Sequence, residues 1–184
     1  GEAVTFEVID ALSLPFEEDT IDAIVCQFGV MFYPDKQQAY REALRVLKPG
    51  GVFLFNAWGS LDANPFARLA HEVGEDFFPD DAPTFYKVPF GYHAPETGLG
   101  ELRIAGFSDV SAEIVAIDKQ VVSWEDFSIG LVFGNPLAEE IRNRGGVEPE
   151  TVRLAVAEAL ANHFGDAPTT MPLEAVVFTA RKDH

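Results

Sequence analysis

The fold of this chain is decided by residues 6–58, which read FEVIDALSLPFEEDTIDAIVCQFGVMFYPDKQQAYREALRVLKPGGVFLFNAW. Two runs of mostly β-branched, aromatic and other apolar residues, Ile21–Gln27 and 52–57, predict strands. The segment between them has apolar residues at helical spacing. Asp35 predicts the start of that helix because Gln38 stands three residues later, and a Lys-Pro-Gly-Gly run predicts its end. A strand, a crossover helix and a second strand make a parallel pair, so the stretch predicts an α/β sheet.

The rest of the chain adds strands and helices around this unit. Runs rich in β-branched and aromatic residues predict strands at 4–9, 109–118 and 173–180. The consecutive apolar residues of Ile21–Gln27 predict a strand covered on both faces. Further helices are predicted to open at Asn64, Pro95 and Ser123 and to occupy Leu137–Arg144 and Pro149–Phe164. We expect a single domain, residues 1–184, in which 123–165 form a helical cap or insertion.

Composition argues against several classes of partner. The chain has 13 Lys and Arg against 30 Asp and Glu, a net charge of −17, which argues against nucleic acid and against an anionic membrane surface as partners.

We find no signal peptide and no apolar run long enough to span a bilayer, so the sequence predicts a cytoplasmic protein. The single cysteine, Cys26, allows no intrachain disulfide and is expected to be an inert core residue. The histidines lack metal-ligand spacing, so no metal site is predicted.

Ligands of open α/β sheets bind at the carboxyl ends of the strands, and this rule selects candidate site residues without any homology. Asp10, Gln27, Phe28 and Trp58 follow three predicted strands and are expected to share one rim of the sheet. A carboxylate, an amide and two aromatic walls, with no basic side chain, suit a neutral or cationic heteroaromatic ligand better than a polyphosphate. Each position has a structural alternative: Asp10 could cap its loop, Gln27 could satisfy a strand end, and Trp58 could be a core aromatic residue.

Three motifs follow one another along the chain. They are Val8-Ile9-Asp10-Ala11 with the Leu-Pro-Phe of 14–16, then Ile-Asp-Ala-Ile-Val at 21–25, then Arg-Val-Leu-Lys-Pro-Gly-Gly at 45–51. In this order they resemble the S-adenosylmethionine-dependent methyltransferases of the Rossmann-like class, most of all the small-molecule branch that includes quinone-biosynthesis methyltransferases. The resemblance implies a mainly parallel sheet with an antiparallel final strand and helices on both faces. It also implies a strand order of Ile21–Gln27, 52–57, 173–180, 109–118.

Roles carry over from this family only to matching positions. The resemblance implies that Asp10 holds the adenine amino group of S-adenosylmethionine, that the backbone N–H of Ala11 meets the ring, and that Gln27 lies beside the methionine part. The expected acceptor-binding residues are Phe28, Trp58, Tyr92 and His93. Methyl transfer by direct displacement needs alignment and a dry pocket more than a nucleophile. No catalytic residue is assigned, and Tyr92 and His93 are the candidates for a general base.

The family's glycine-rich loop and its ribose-binding carboxylate belong to two strands that would precede this stretch, and neither occurs in the sequence. The resemblance therefore implies a sheet lacking its first two strands, part of a cofactor site, and an isolated chain that binds S-adenosylmethionine weakly and is inactive. A non-catalytic interaction module and half of a nucleotide-binding oxidoreductase stay open as alternatives. Ile21–Gln27 would then be an unprotected edge, and we expect a homodimer through it rather than pairing with 4–9 in the same chain.

Overall fold

The computed structural model describes residues 4–183, which divide into two compact units. The first unit comprises the described residues up to Ala57, together with Ala94–Glu113 and the residues from Val176 onward. The second unit comprises Trp58–His93 and Ile114–Ala175. The chain therefore leaves the first unit after Ala57 and enters it again twice.

Four strands form one sheet. They are β1 (Ile21–Gln27), β2 (Leu47–Trp58), β3 (Asp109–Val121) and β4 (Thr169–Arg181). Their order in the sheet is β1-β2-β4-β3, which confirms the order that the family resemblance implies. β2, β3 and β4 are each longer than predicted.

The sheet is mixed. β1 and β2 run parallel, with Ala23 beside Val52 and Gln27 beside Asn56. Gly51 is hydrogen bonded to Lys182, and Gly59 to Glu174, so β4 runs backward as β2 runs forward. The final strand is therefore antiparallel to β2, as predicted.

Six α-helices lie between and beside the strands in the described part of the chain, which also has two short 3-10 helices, Val30–Phe32 and Phe85–Lys87. The α-helices are α1 (Lys36–Val46), α2 (Pro65–Phe77), α3 (Pro95–Ala105), α4 (Trp124–Phe133), α5 (Leu137–Arg144) and α6 (Pro149–Phe164). The predicted caps are present: Asp35 accepts a hydrogen bond from the Gln38 N–H at 2.9 Å, and Ser123 accepts one from the Asp126 N–H at 3.1 Å. Each cap pairs one of the N–H groups that a helix start leaves unsatisfied.

Aromatic rings fill the core of the first unit. Tyr40 of α1 stacks on Phe55 of β2 at 5.6 Å between ring centroids, and Phe55 stacks on Phe178 of β4 at 4.7 Å. All three rings are fully buried. α3 packs against α1 and brings Gly98 against the Phe178 ring. The helices α1 and α3 thus bury the sheet face that carries Phe55 and Phe178.

A separate core, built from α2, α4, α5 and α6 with neighbouring strand and loop residues, holds the second unit together. Buried Asn64 precedes α2; its amide donates to the carbonyls of Ser60 and Glu174 and accepts from the Glu174 N–H. Arg153 of α6 is also buried, and it donates to Ser128 of α4 and pairs with Glu150. Asn64 thus connects the loop before α2 to β4, and Arg153 connects α6 to α4.

Two local predictions are wrong. Residues 4–9 form no strand and are exposed, with Phe6 at 93% exposure, because no neighbouring strand among the described residues offers hydrogen bonds to them. β1 is not covered on both faces: it is an edge strand of the sheet, and Val25 is 70% exposed. The expectation of a single domain with a cap at 123–165 stays a prediction.

Candidate functional site: two clefts along strand β1

A tight turn presents Asp10. Its Oδ1 accepts a hydrogen bond from the Leu12 N–H at 2.9 Å, and its carbonyl accepts one from the Ser13 N–H at 3.1 Å. Within residues 4–183 the second carboxylate oxygen of Asp10 and the N–H of Ala11 have no hydrogen-bond partner. A free acceptor and a free donor therefore lie on adjacent residues. The carboxylate does cap its loop, as the structural alternative for Asp10 anticipated, but with one oxygen only.

The loop that carries Asp10 is fixed to helix α1. The Leu14 N–H donates to Glu42 at 2.9 Å, and Arg45 donates to the carbonyls of Leu14 and Phe16 at 3.0 and 2.9 Å. The hydrogen bond from Arg45 lowers the pKa of Glu42 below its ordinary value. Glu42 therefore stays ionised and keeps its bond to the loop.

A cleft of about 590 Å³ opens beside this turn, along the free edge of β1. We call it the Asp10 cleft; it is lined by Ile9, Asp10, Ala11, Leu12, Leu14, Ile24, Val25, Cys26, Tyr33 and Pro34. Most of these side chains are apolar, and none is basic. Its volume lies in the range of small-molecule sites, and its walls suit a flat, uncharged ring.

A second cleft, of about 370 Å³, lies beside the C-terminal halves of β1 and β2. We call it the Gln27 cleft; it is lined by Val25, Cys26, Gln27, Leu54, Phe55, Asn56 and Val177. Gln27 ends β1 and is exposed, and its side-chain amide makes no hydrogen bond within the described residues. The two clefts share Val25 and Cys26, so Asp10 and Gln27 border one continuous strip of β1.

Asn56 is a site residue that the sequence analysis missed. Its Oδ1 accepts a hydrogen bond from the Phe28 N–H at 2.9 Å, and Phe28 has a φ of 51°. A bulky residue at positive φ is strained by about 1–2 kcal/mol, so the turn after β1 needs such support. Asn56 lies inside the predicted strand 52–57, and its place beside Gln27 follows from the parallel register of β1 and β2.

Cys26 lines both clefts and contacts Tyr33. Its Sγ lies 3.3 Å from the Tyr33 hydroxyl, and a Cβ at position 29, now Gly29, would come within 2.7 Å of this sulfur. Burial, and secondarily the contact with Cys26, raises the pKa of Tyr33 above its ordinary value. The phenol therefore stays neutral, and it lines the Asp10 cleft.

The other predicted site residues belong to the second unit. Trp58 stacks on Phe90 at 5.5 Å and meets Phe66 edge to face at 5.9 Å, as its core alternative anticipated. Tyr92 is buried, and His93 Nδ1 donates to the Phe90 carbonyl at 2.8 Å. A common rim for Asp10, Gln27 and Trp58 stays a prediction.

Two further classes of site were sought in residues 4–183. These residues contain no group of three or more His, Cys, Asp or Glu arranged to hold a metal ion. None of their helices has the length and hydropathy of a membrane-spanning helix.

Comparison with known proteins gives a consistent picture. Residues 1–55 match a family model described as a methyltransferase domain. The ubiquinone/menaquinone biosynthesis C-methyltransferase UbiE of Hahella chejuensis is 37% identical over 73 residues, which are 40% of this chain and 29% of that protein. The chain thus aligns with less than a third of that curated relative.

Solved structures share the fold. The YcgJ protein of Bacillus subtilis superposes with a TM-score of 0.58 at 19% identity, over 100% of this chain and 73% of that one. An S-adenosylmethionine-dependent methyltransferase of Thermotoga maritima has a TM-score of 0.50 at 16% identity, over 94% and 61% of the two chains. The match over residues 1–55 and the shared fold show that this chain is similar to methyltransferases in sequence over its first third and in fold.

Proposed function

We propose that the chain takes part in methyl transfer from S-adenosylmethionine to a small-molecule acceptor, and that the two clefts along β1 hold the cofactor. The observation that carries this proposal is the pairing of an apolar cleft with an unused carboxylate oxygen and an unused N–H at Asp10 and Ala11. An adenine ring offers an exocyclic amine as donor and ring nitrogens as acceptors on a flat apolar body. The residues present therefore fit that part of the cofactor.

The Gln27 cleft suits the polar end of the same ligand. Gln27 has both a donor and an acceptor available, and Asn56 keeps its amide nitrogen unpaired within the described residues because only its oxygen holds Phe28. Bound S-adenosylmethionine would supply a methyl group activated by a sulfonium. The residues of this chain would bind and orient, since an in-line displacement needs alignment and exclusion of water.

The acceptor is proposed to bind beside Gln27, with Phe28, Trp58, Tyr92 and His93 as contact candidates. This part of the proposal rests on the family resemblance and on the position of Phe28 next to the Gln27 cleft. No general base is assigned: Gln27 cannot accept a proton, and Tyr92 and His93 stay the candidates.

Nuclear magnetic resonance titration tests the cofactor assignment on residues 1–184. S-adenosylhomocysteine, added to about 5 mM, should shift the amide signals of 10–12 and 25–28, which a millimolar site allows. Asp10→Asn keeps the turn-capping oxygen but replaces the free acceptor by a donor, so it should weaken binding about tenfold. Asp80→Asn, an exposed change of the same kind in the second unit, should leave binding unchanged.

Two results of the titration would contradict the assignment of the adenine site to Asp10. Shifts confined to the second unit, or an Asp10→Asn variant that binds as tightly as the parent chain, would remove the adenine site from Asp10. A methyl-transfer assay on the loaded protein would separate an enzyme from a non-catalytic module, since both would bind the cofactor.

A further inference from the structure

Strand β3 is the other edge of the sheet, opposite β1. Its one neighbour among the described residues is β4, so its second edge presents unpaired backbone N–H and C=O groups. From Glu113 to Gln120 every residue is exposed, including Ile114 at 56% and Ile117 at 57%. A long edge strand with exposed apolar residues and neither Pro nor Gly is a template for pairing with another strand.

Two charged residues of β3, Glu113 and Lys119, have no charged partner among the described residues. Glu113 and Lys119 are both exposed, and neither makes a salt bridge or a side-chain hydrogen bond with any described residue. They lie six residues apart on one strand, so their side chains project from the same face of the sheet. Val115 and Ile117 lie between them on that face.

We propose that β3 pairs with β3 of a second copy of this chain, antiparallel and with Ala116 on the twofold axis. In a symmetric antiparallel pair one residue faces its own copy, and the residues on either side face each other in reverse order. With Ala116 on the axis, Glu113 faces Lys119 of the partner subunit, and Val115 faces Ile117 of the partner subunit. Each pairing occurs twice, so one face carries two opposite-charge pairs around a central apolar group.

Neighbouring registers lose this match. With Val115 on the axis, Glu113 would face Ile117, and with Ile117 on the axis, Glu113 would face Val121. Both leave the carboxylate and the ammonium group without a partner. Charge complementarity therefore selects one register among those that hydrogen bonding permits.

A second copy of the chain is expected to pair with β3 rather than with the edge of β1. The edge of β1 borders the Asp10 cleft, so a strand paired there would compete with the ligand proposed for it. β3 contributes no residue to either cleft. The contact is small, so we expect a weak dimer in the micromolar to millimolar range.

Sedimentation equilibrium of residues 1–184 at about 0.15 M salt tests the association, because this ionic strength screens the general repulsion between two acidic chains. Glu113→Lys and Lys119→Glu each convert both symmetric pairs into like charges and should weaken the dimer by about tenfold or more. The double variant Glu113→Lys with Lys119→Glu restores opposite charges and should dimerise like the parent chain. Glu158→Lys, an exposed change on α6, is the control for net charge.

Disulfide trapping tests the register. In a Cys26→Ser background, Ala116→Cys should cross-link readily, since facing residues of an antiparallel pair have Cα atoms about 4.5–5.5 Å apart. Ile114→Cys is the matched control and should not cross-link, because its copy lies four positions away along the partner strand.

Three results would overturn the proposal. The first is a parent chain that stays monomeric to about 1 mM. The second is a double charge-swap variant as weak as the single variants. The third is an association that the β3 charges leave unchanged, which would place the contact elsewhere, for example at β1.

Discussion

The side-chain oxygen of Asn56 accepts a hydrogen bond from the backbone N–H of Phe28, although helix α1 separates the two residues in sequence. The bond is possible because Asn56 of β2 lies beside Gln27 of β1 in the parallel register. It supports a turn in which Phe28 has positive φ and which sets where β1 stops. The end of one strand thus depends on a side chain of its neighbour.

Removing that oxygen should destabilise the chain. Asn56→Ala removes the acceptor that holds the Phe28 N–H and should lower the free energy of unfolding by about 1–2 kcal/mol in urea denaturation. Asn56→Asp keeps an acceptor at the same place and should cost less than the alanine variant. Equal losses for the two variants would mean that the hydrogen bond does not support the turn.

Two glycines of α3 provide a matched pair. A Cβ at Gly98 would overlap the Phe178 ring, whereas one at Gly100 has no atom within 4 Å apart from its chain neighbours and the helix backbone. Gly98→Ala should therefore destabilise the chain by about 1–3 kcal/mol through overpacking. Gly100→Ala should stabilise it by about 0.5–1 kcal/mol, because alanine favours the helix. Thermal unfolding of both variants is the measurement, and a harmless Gly98→Ala would contradict the packing of α3 on the sheet.

Asn64 should tolerate neither shortening nor a change of charge. Its amide nitrogen donates to two carbonyls, of Ser60 and Glu174, at 3.0 and 3.1 Å, and the residue is fully buried. Asn64→Asp turns this donor into an acceptor facing two carbonyl oxygens and should cost more stability than Asn64→Ala, on the order of 3 kcal/mol or more. Urea denaturation of both variants would check the order. If the aspartate variant were the more stable, the assigned orientation of the amide would be wrong.

His71 should make the stability of the chain depend on pH. Burial lowers the pKa of this side chain, while Glu75, 3.2 Å away, acts in the opposite direction; Lys87 lowers the pKa and Glu72 raises it. The folded chain therefore binds a proton at His71 less readily than the unfolded chain, whose histidine titrates near pH 6.5. The contribution of His71 to stability is present above that pH and is lost as the pH falls below it.

A His71→Gln variant isolates this effect from the titration of carboxylates. The difference in unfolding free energy between the parent chain and the variant should be larger at about pH 7.5 than at about pH 5, measured by urea denaturation. A difference that grows on acidification would show that the charged form is favoured in the folded chain.

The starts of helices were predictable from local signals, and the order of the strands was predictable from the family resemblance. The caps at Asp35 and Ser123 depend on spacing within one turn, so the sequence alone reveals them. The strand order followed from the resemblance, and Phe55 and Phe178 meet as that order requires.

The predictions that were wrong concern residues whose structure depends on neighbouring strands or helices, which a local sequence pattern does not show. Residues 4–9 have strand composition, but β propensity reflects packing on an adjacent strand, and none pairs with them here. The same reason explains Val25: an apolar side chain on a strand is buried only if something covers that face. At the candidate site, Gln27 does end a strand, as predicted, whereas Asp10 was selected from a predicted strand at 4–9 that the structure does not contain. Asn56 required knowledge of the register between β1 and β2.

The strip of β1 shared by the two clefts contains the one thiol of the chain, at Cys26. A fluorinated or fluorescent reagent attached there would label a single known position without any engineered background. Its signal would respond to a molecule bound in either cleft, because Cys26 lines both. The rate at which the unlabelled thiol is alkylated gives a second, independent readout of occupancy. The native sequence therefore already contains a built-in reporter for whatever ligand this protein binds.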